Sequence, residues 1–143
     1  MKLNEVLSFV KTYSIEYRNT NLPDLEISPI YDLFPERISF DENINWPAEY
    51  FHNGRYGIYL ILNKEYDVIY IGKAKNIGKR LGAYFGTNKE DKTCLIKHTN
   101  WSSNPKYLCT IAVDDEIWFE ALSLEEYLIW NTQPNDNKLS KNF

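Results

Sequence analysis

Two apolar, β-branched and aromatic runs joined by a short polar turn, a third such run further on, and helical periodicities near both ends predict a small α/β (α+β) fold. Leu3, Val6, Leu7 and Val10 repeat at helical spacing, so residues 2–17 are expected to form an amphipathic helix. Residues 19–50 mix proline with Ile30, Tyr31, Leu33, Phe34, Ile38, Phe40 and Trp46. That stretch is too apolar and too glycine-free for a flexible linker, and it reads as an irregular extension packed on the rest of the chain. The chain thus divides into an acidic N-terminal helix plus Pro-rich extension (1–50) and a core domain (51–143).

Residues 56–62 and 68–72 read as two strands around a tight turn at Asn63 to Asp67. Asn76 is placed to N-cap a short helix, Ile77 to Phe85, with Gly86 as its stop. Gly78 and Gly82 each weaken that helix by about 1 kcal/mol relative to alanine, so tertiary packing must hold it. Residues 87–105 read as loop or weak helix, and Lys106 to Val113 as a third strand. Asp114 or Asp115 is expected to cap a long helix from Glu116 to about Asn131, which Pro134 ends.

At 143 residues the chain fits one domain able to bury a core without disulfides or structural metal. Cys94, Cys109, His52 and His98 show no metal-ligand spacing. The thiols read as free in a cytoplasmic protein, since no apolar run approaches a membrane span and no signal-peptide pattern opens the sequence. The net charge of −4 conceals a segregation. Residues 1–50 carry a net −5, whereas residues 70–110 carry eight basic side chains against Glu90 and Asp91, a net +6. A locally basic middle is the footprint of a nucleic-acid partner, or simply charge sorted onto solvated faces.

Three places can carry chemistry. Antiparallel pairing of Ile61 with Tyr70 also pairs Tyr59 with Gly72, putting both tyrosines, Gly57 and Gly72 on one face and Ile58, Leu60, Leu62, Ile69 and Ile71 on the other. Bare backbone at Gly72 leaves room for something to approach closely; the plainer alternative is two ordinary strand tyrosines under a helix. On the C-terminal helix Trp118, Ala121, Leu122, Leu128 and Ile129 fall within about 60° of Glu125, placing a carboxylate at the centre of an apolar stripe. Such a group needs a cation, a hydrogen-bond network or a raised pKa, and an internal ion pair with Arg80 would satisfy it. Glu120 and Glu126 lie where water reaches them. Arg80 and Tyr84 share a face of the short helix that Lys73, Lys75 and Lys79 lead into, although Lys75 and Lys79 also suit a solvated helix start.

Gly57-Ile58-Tyr59, ten residues, then Tyr70-Ile71-Gly72 resembles the signature of the GIY-YIG nuclease family. Tyr70 to Phe85 is similar to the nuclease domain of the bacterial excision-repair endonuclease, as are Glu120-Ala121-Leu122, Leu124-Glu125, Leu128-Ile129, Pro134 and Asn137. The likeness covers about residues 55–137, with its motifs in the family's order. It implies a central three-stranded antiparallel β-sheet flanked by helices and a Mg²⁺-dependent endonuclease (Mn²⁺ substituting), with DNA as substrate and RNA left open. By position, Tyr59 and Tyr70 take the two signature tyrosines, Arg80 the helix arginine, Glu125 the metal-binding glutamate and Asn137 the late asparagine that orients the site. Tyr84 and Lys73 match the repair-type members, and Lys73, Lys75, Lys79, Arg80 and Gly72 would meet the nucleic acid.

Phosphodiester hydrolysis needs an activated water, neutralised transition-state charge and a stabilised leaving oxygen. A cation on Glu125 would act as Lewis acid, and Arg80 offers a planar fork to the non-bridging oxygens. Tyr59 is the expected general base and Tyr70 the hydrogen-bonding partner of water or phosphate, though the two roles are interchangeable at this level. A monomer or weak dimer is expected. The rival reading is a catalytically silent nucleic-acid-binding or protein-interaction module on the same scaffold. The acidic front either wraps the far side of the sheet or shields the cleft; its apolar content favours the wrap.

Overall fold

The computed structural model describes residues 1–36 and 44–137; Ile38, Phe40 and residues 138–143 lie outside them. Helix α1 (Leu3–Thr12) continues through one π turn, Tyr13–Tyr17. Two short strands follow, β1 (Glu26–Ile27) and β2 (Tyr31–Asp32), then the hairpin β3 (Gly57–Leu62) and β4 (Val68–Ala74). After these come α2 (Ile77–Tyr84), the small hairpin β5 (Phe85–Thr87) and β6 (Cys94–Ile96), β7 (Tyr107–Ala112) and α3 (Glu120–Thr132).

The hairpin adopts the register that the pattern of side chains predicts: Tyr59 faces Gly72 and Ile61 faces Tyr70. Strand β3 is central, antiparallel to β4 on one side and β7 on the other, which leaves β4 as an edge strand. The fold class is therefore the expected one, with a larger sheet. Residues expected to lack regular structure supply β1 and β2, which pair with the outer edge of β7. Two-residue strands carry no readable alternation, and β7's free backbone groups are what extend them.

Each face of the sheet is covered. On one, Leu3, Val6, Val10 and Tyr13 from the N-terminal helix pack with Ile58, Leu60, Ile71, Leu124 and Leu128. On the other, Tyr59, Ile61, Ile77, Leu81 and Phe85 pack with Tyr31, Leu33 and Trp46 of the extension. Ile77 and Leu81 are fully buried, each contributing roughly 1.5–3 kcal/mol, and this packing holds α2 despite Gly78 and Gly82. The Asn76 side chain accepts from the Lys79 N–H, so the expected N-cap is present.

Four expectations are corrected. Ile69 lies in the tyrosine-side cluster, because a bulge shifts the pairing from Ile61–Tyr70 to Leu62–Val68 and turns it over. Gly86 lies within β5 rather than stopping α2: Phe85, 2% exposed, is drawn into the core with an extended backbone. Residues 87–105 contain β6, paired with β5. Asp114 caps only a short 3₁₀ turn, Asp115–Ile117, and α3 begins at Glu120.

Helical phase also misplaces Glu120. It is buried, and the Arg18 guanidinium grips it through Nε at 2.6 Å and Nη2 at 2.9 Å while the Tyr13 hydroxyl donates at 3.2 Å. Position on α3 could not reveal this, because the covering groups come from the other end of the chain. Among the described residues no helix is long and apolar enough to cross a membrane. Cys94 and Cys109 are free and buried.

Candidate active site

The edge strand β4 organises the site. One large open cleft of about 1150 Å³ bends around it, so that side chains from both faces of the sheet reach the same space. Tyr59 and Tyr70 enter with Arg80 and Lys79 of α2 from one side. Glu125, Ala121 and Ile129 enter from α3 on the other, with Lys73 and Asn137 beside the strand. Tyr84 does not line this cleft but touches both signature tyrosines from behind, ring centroids 5.8 and 6.1 Å away.

Tyr59 has no solvent-exposed surface. Its hydroxyl lies 3.1 Å from that of Tyr84 and accepts from Arg80 Nε at 3.5 Å. The space above Gly72 is therefore used by the protein itself: a Cβ at residue 72 would strike the Tyr59 ring and hydroxyl. Gly72 thus seats a tyrosine, and the room expected beside it is taken up by the Tyr59 ring. Burial drives the Tyr59 phenol far above its ordinary pKa, with the Tyr84 hydrogen bond adding to the shift. Tyr70, only half-buried, is pushed up to about 12, again chiefly by burial. Arg80 is exposed, and its hydrogen bond to Tyr59 secures its charge.

Glu125 is 8% exposed, as its place on the apolar stripe of α3 requires. Its cation is Lys73 rather than Arg80: Nζ donates to Oε1 at 3.2 Å. Register explains the choice, since residues 71 and 73 of β4 point to the α3 face while Arg80 stands across the strand. Burial raises the Glu125 carboxyl, and the Lys73 hydrogen bond partly offsets it. Asn137 accepts from the Ile71 N–H and donates to the Ile71 carbonyl, each at 2.8 Å. Its amide thereby clamps the backbone between Tyr70 and Gly72, and it acts by positioning the edge strand.

The donor set tests whether a metal fits. Among the described residues no group of three His, Cys, Asp or Glu side chains could enclose an ion, so the closed tetrahedral arrangement of a structural zinc has no counterpart there. Mg²⁺ keeps most of its waters and takes one or two carboxylates plus substrate phosphates. A single carboxylate opening into a roomy cleft suits that ion, and Glu125 is the residue that could hold it.

Sequence reasoning overlooked Tyr56, Trp118 and Leu122 as site residues, all of which line the cleft. Helical phase counts Trp118 toward the buried stripe, yet it precedes α3 and is 41% exposed. Adjacent aromatics at 118 and 119 are the readable signal, because two neighbouring residues cannot both occupy one buried helix face. Lys75 lies over the Trp118 ring, 5.6 Å from its centroid. Not every cation of the basic middle belongs here: Lys106 binds Asp32 at 2.7 Å, and Lys97 donates to the Gly82 carbonyl.

The architecture that brings paired GIY and YIG tyrosines, the helix arginine and the α3 carboxylate together agrees with the comparison to known families. The model of the UvrC-like GIY-YIG domain matches residues 55–138. This chain belongs to that family. Similar curated proteins include the UvrABC system protein C of Mycoplasma capricolum, 42% identical over 83 residues, and that of Koribacter versatilis, 40% identical over 85. Each match covers 58% of this chain and 13% of the relative's length. The chain therefore shares one domain with much longer proteins, and the first 54 residues fall outside the family match.

Proposed function

We propose that this chain is a cytoplasmic endonuclease that hydrolyses phosphodiester bonds in DNA with one divalent cation, Mg²⁺ by preference, held by Glu125. The observation that carries the reading is the meeting of Tyr59, Tyr70, Lys73, Arg80, Glu125 and Asn137 around one edge strand, in a cleft open enough for a polymer. When bound, the cation would supply Lewis-acid stabilisation of a phosphate oxygen and of the leaving oxygen.

The remaining steps belong to the chain. Arg80 binds the non-bridging oxygens through its exposed guanidinium, steadied by the Tyr59 hydroxyl. The difference in burial supports Tyr70 over Tyr59 as the base, reversing the order favoured by sequence: a water in the cleft can reach Tyr70, whereas Tyr59 is enclosed by Tyr84 and Arg80. Tyr70 as phenolate takes the proton of the attacking water at its hydroxyl oxygen, and the Arg80 charge favours that form against the burial that opposes it. Asn137 keeps Tyr70 aimed by holding the adjacent Ile71 peptide.

Supercoiled-plasmid nicking tests the proposal. The wild-type chain should nick in Mg²⁺ and stop in excess EDTA, while Glu125→Ala stays folded and inactive. Nicking that survives either treatment refutes the mechanism; a wild-type chain that binds DNA without cutting it under any divalent cation is the silent binding module instead.

A further inference from the structure

We propose that Trp118 is a stacking platform for an unpaired nucleobase, which makes the preferred substrate a DNA strand with at least one unpaired base beside the cut. The inference deepens the nuclease reading and rests on it for the direction in which the strand runs. Trp118 lines the same cleft as Arg80 and Glu125, yet 41% of its surface remains exposed. Next to it Phe119 and Leu122 are 58% and 45% exposed, so water meets an apolar lip at the mouth of a charged cleft. The indole is braced by Tyr56, whose ring centroid lies 6.1 Å away at a 34° tilt, and by the Lys75 ammonium. A braced, solvent-facing indole with a cation beside it is the pairing that single-stranded nucleic acid uses, with bases on aromatic faces and phosphates on lysines.

Geometry fits a continuous strand. Trp118 stands two residues before α3 and seven before Glu125, and at helical rise that separation is on the order of 10 Å. A strand bridges that span in about three nucleotides or fewer, since the stacked duplex rise of ~3.4 Å is its compact limit. Lys75, Lys79 and Arg80 line the same cleft, and Lys73 meets the carboxylate itself. The cleft holds three carboxylates against four cations: Glu125 is paired with Lys73, Asp136 is turned to the Ser102 N–H and hydroxyl, and Glu126 lies on the α3 rim, while Lys75, Lys79 and Arg80 line the strand's side. A paired base has its faces covered within the stack, so only an unstacked base can lie on the indole. The other occupant of an apolar lip, a second copy of this chain, would have to bring the same lysines together, which disfavours it.

The test measures binding without cutting. Fluorescence anisotropy in EDTA would follow a labelled oligothymidine about twelve nucleotides long and a blunt duplex of equal length. Wild type should prefer the single strand. Trp118→Ala should weaken that binding roughly ten-fold and leave the duplex within about two-fold, while Trp118→Phe retains most of the affinity. Circular dichroism of each variant reports the fold, and the half-exposed site makes Trp118→Phe a second, conservative probe. Equal loss for both ligands, no loss for either, or a wild type with no single-strand preference overturns the proposal. So does sedimentation showing a wild-type dimer that Trp118→Ala dissociates with binding unchanged. Plasmid nicking by wild type in Mg²⁺ judges the nuclease reading separately, because the anisotropy result needs no catalysis.

Discussion

Replacing Arg18 by alanine should be among the most destabilising single changes outside the sheet. Arg18 and Glu120 side chains are 5% and 7% exposed, and the guanidinium holds both carboxylate oxygens. Removing the cation strands a buried carboxylate with only Tyr13 as a direct partner, a situation that costs about 3–5 kcal/mol. A chain of 143 residues has an unfolding entropy near ~0.3 kcal/mol/K, so the loss corresponds to a Tm drop of roughly 10–17 °C. Glu120→Gln placed in the Arg18→Ala background should recover about half of it or more, because a neutral amide needs no counter-ion. Thermal unfolding by circular dichroism at neutral pH, for wild type, both single variants and the double variant, supplies the cycle. A drop below about 3 °C for Arg18→Ala, or no recovery in the double variant, would refute the idea that this pair ties the N-terminal segment to the helix bearing Glu125.

Other perturbations have equally definite outcomes. Gly72→Ala should displace the Tyr59 ring and abolish nicking while costing about 1–3 kcal/mol of stability, since the added methyl overpacks against a fully buried side chain; near-normal activity would contradict the seating role. If Tyr70 is the base, kcat/KM should climb about ten-fold per pH unit across the neutral to mildly alkaline range, as its phenol titrates only near 12, and Tyr70→Phe should remove both activity and slope. Glu125 has a folded pKa raised by burial, so it binds its proton more tightly folded than unfolded and contributes stability that is lost as pH rises through the carboxylate range. Glu125→Gln should thus be no less stable than wild type at neutral pH, with the difference shifting toward wild type under acid conditions, as urea unfolding at several pH values would show. Deleting residues 1–50 should give insoluble protein, because Leu3, Val6 and Val10 complete one core and Leu33 and Trp46 the other; a soluble remnant that cuts faster would point to a shielding arm.

The hairpin register, the shared face of Tyr59 and Tyr70, the Asn76 cap and the burial of Glu125 were all legible in the order of residues. Each of these comes from periods of 2 or 3.6 residues within one element, where side-chain direction is dictated by the local backbone. What covers a face is a different matter, because the covering group comes from elsewhere in the chain. Tertiary structure alone assigned Lys73 rather than Arg80 to Glu125, buried Glu120 under Arg18, filled the space at Gly72 with Tyr59 and left Trp118 open to the cleft. Strand order decided them: with β4 at the sheet edge, a helix on either face can reach one cleft, and no repeat along the chain encodes which strand has no neighbour.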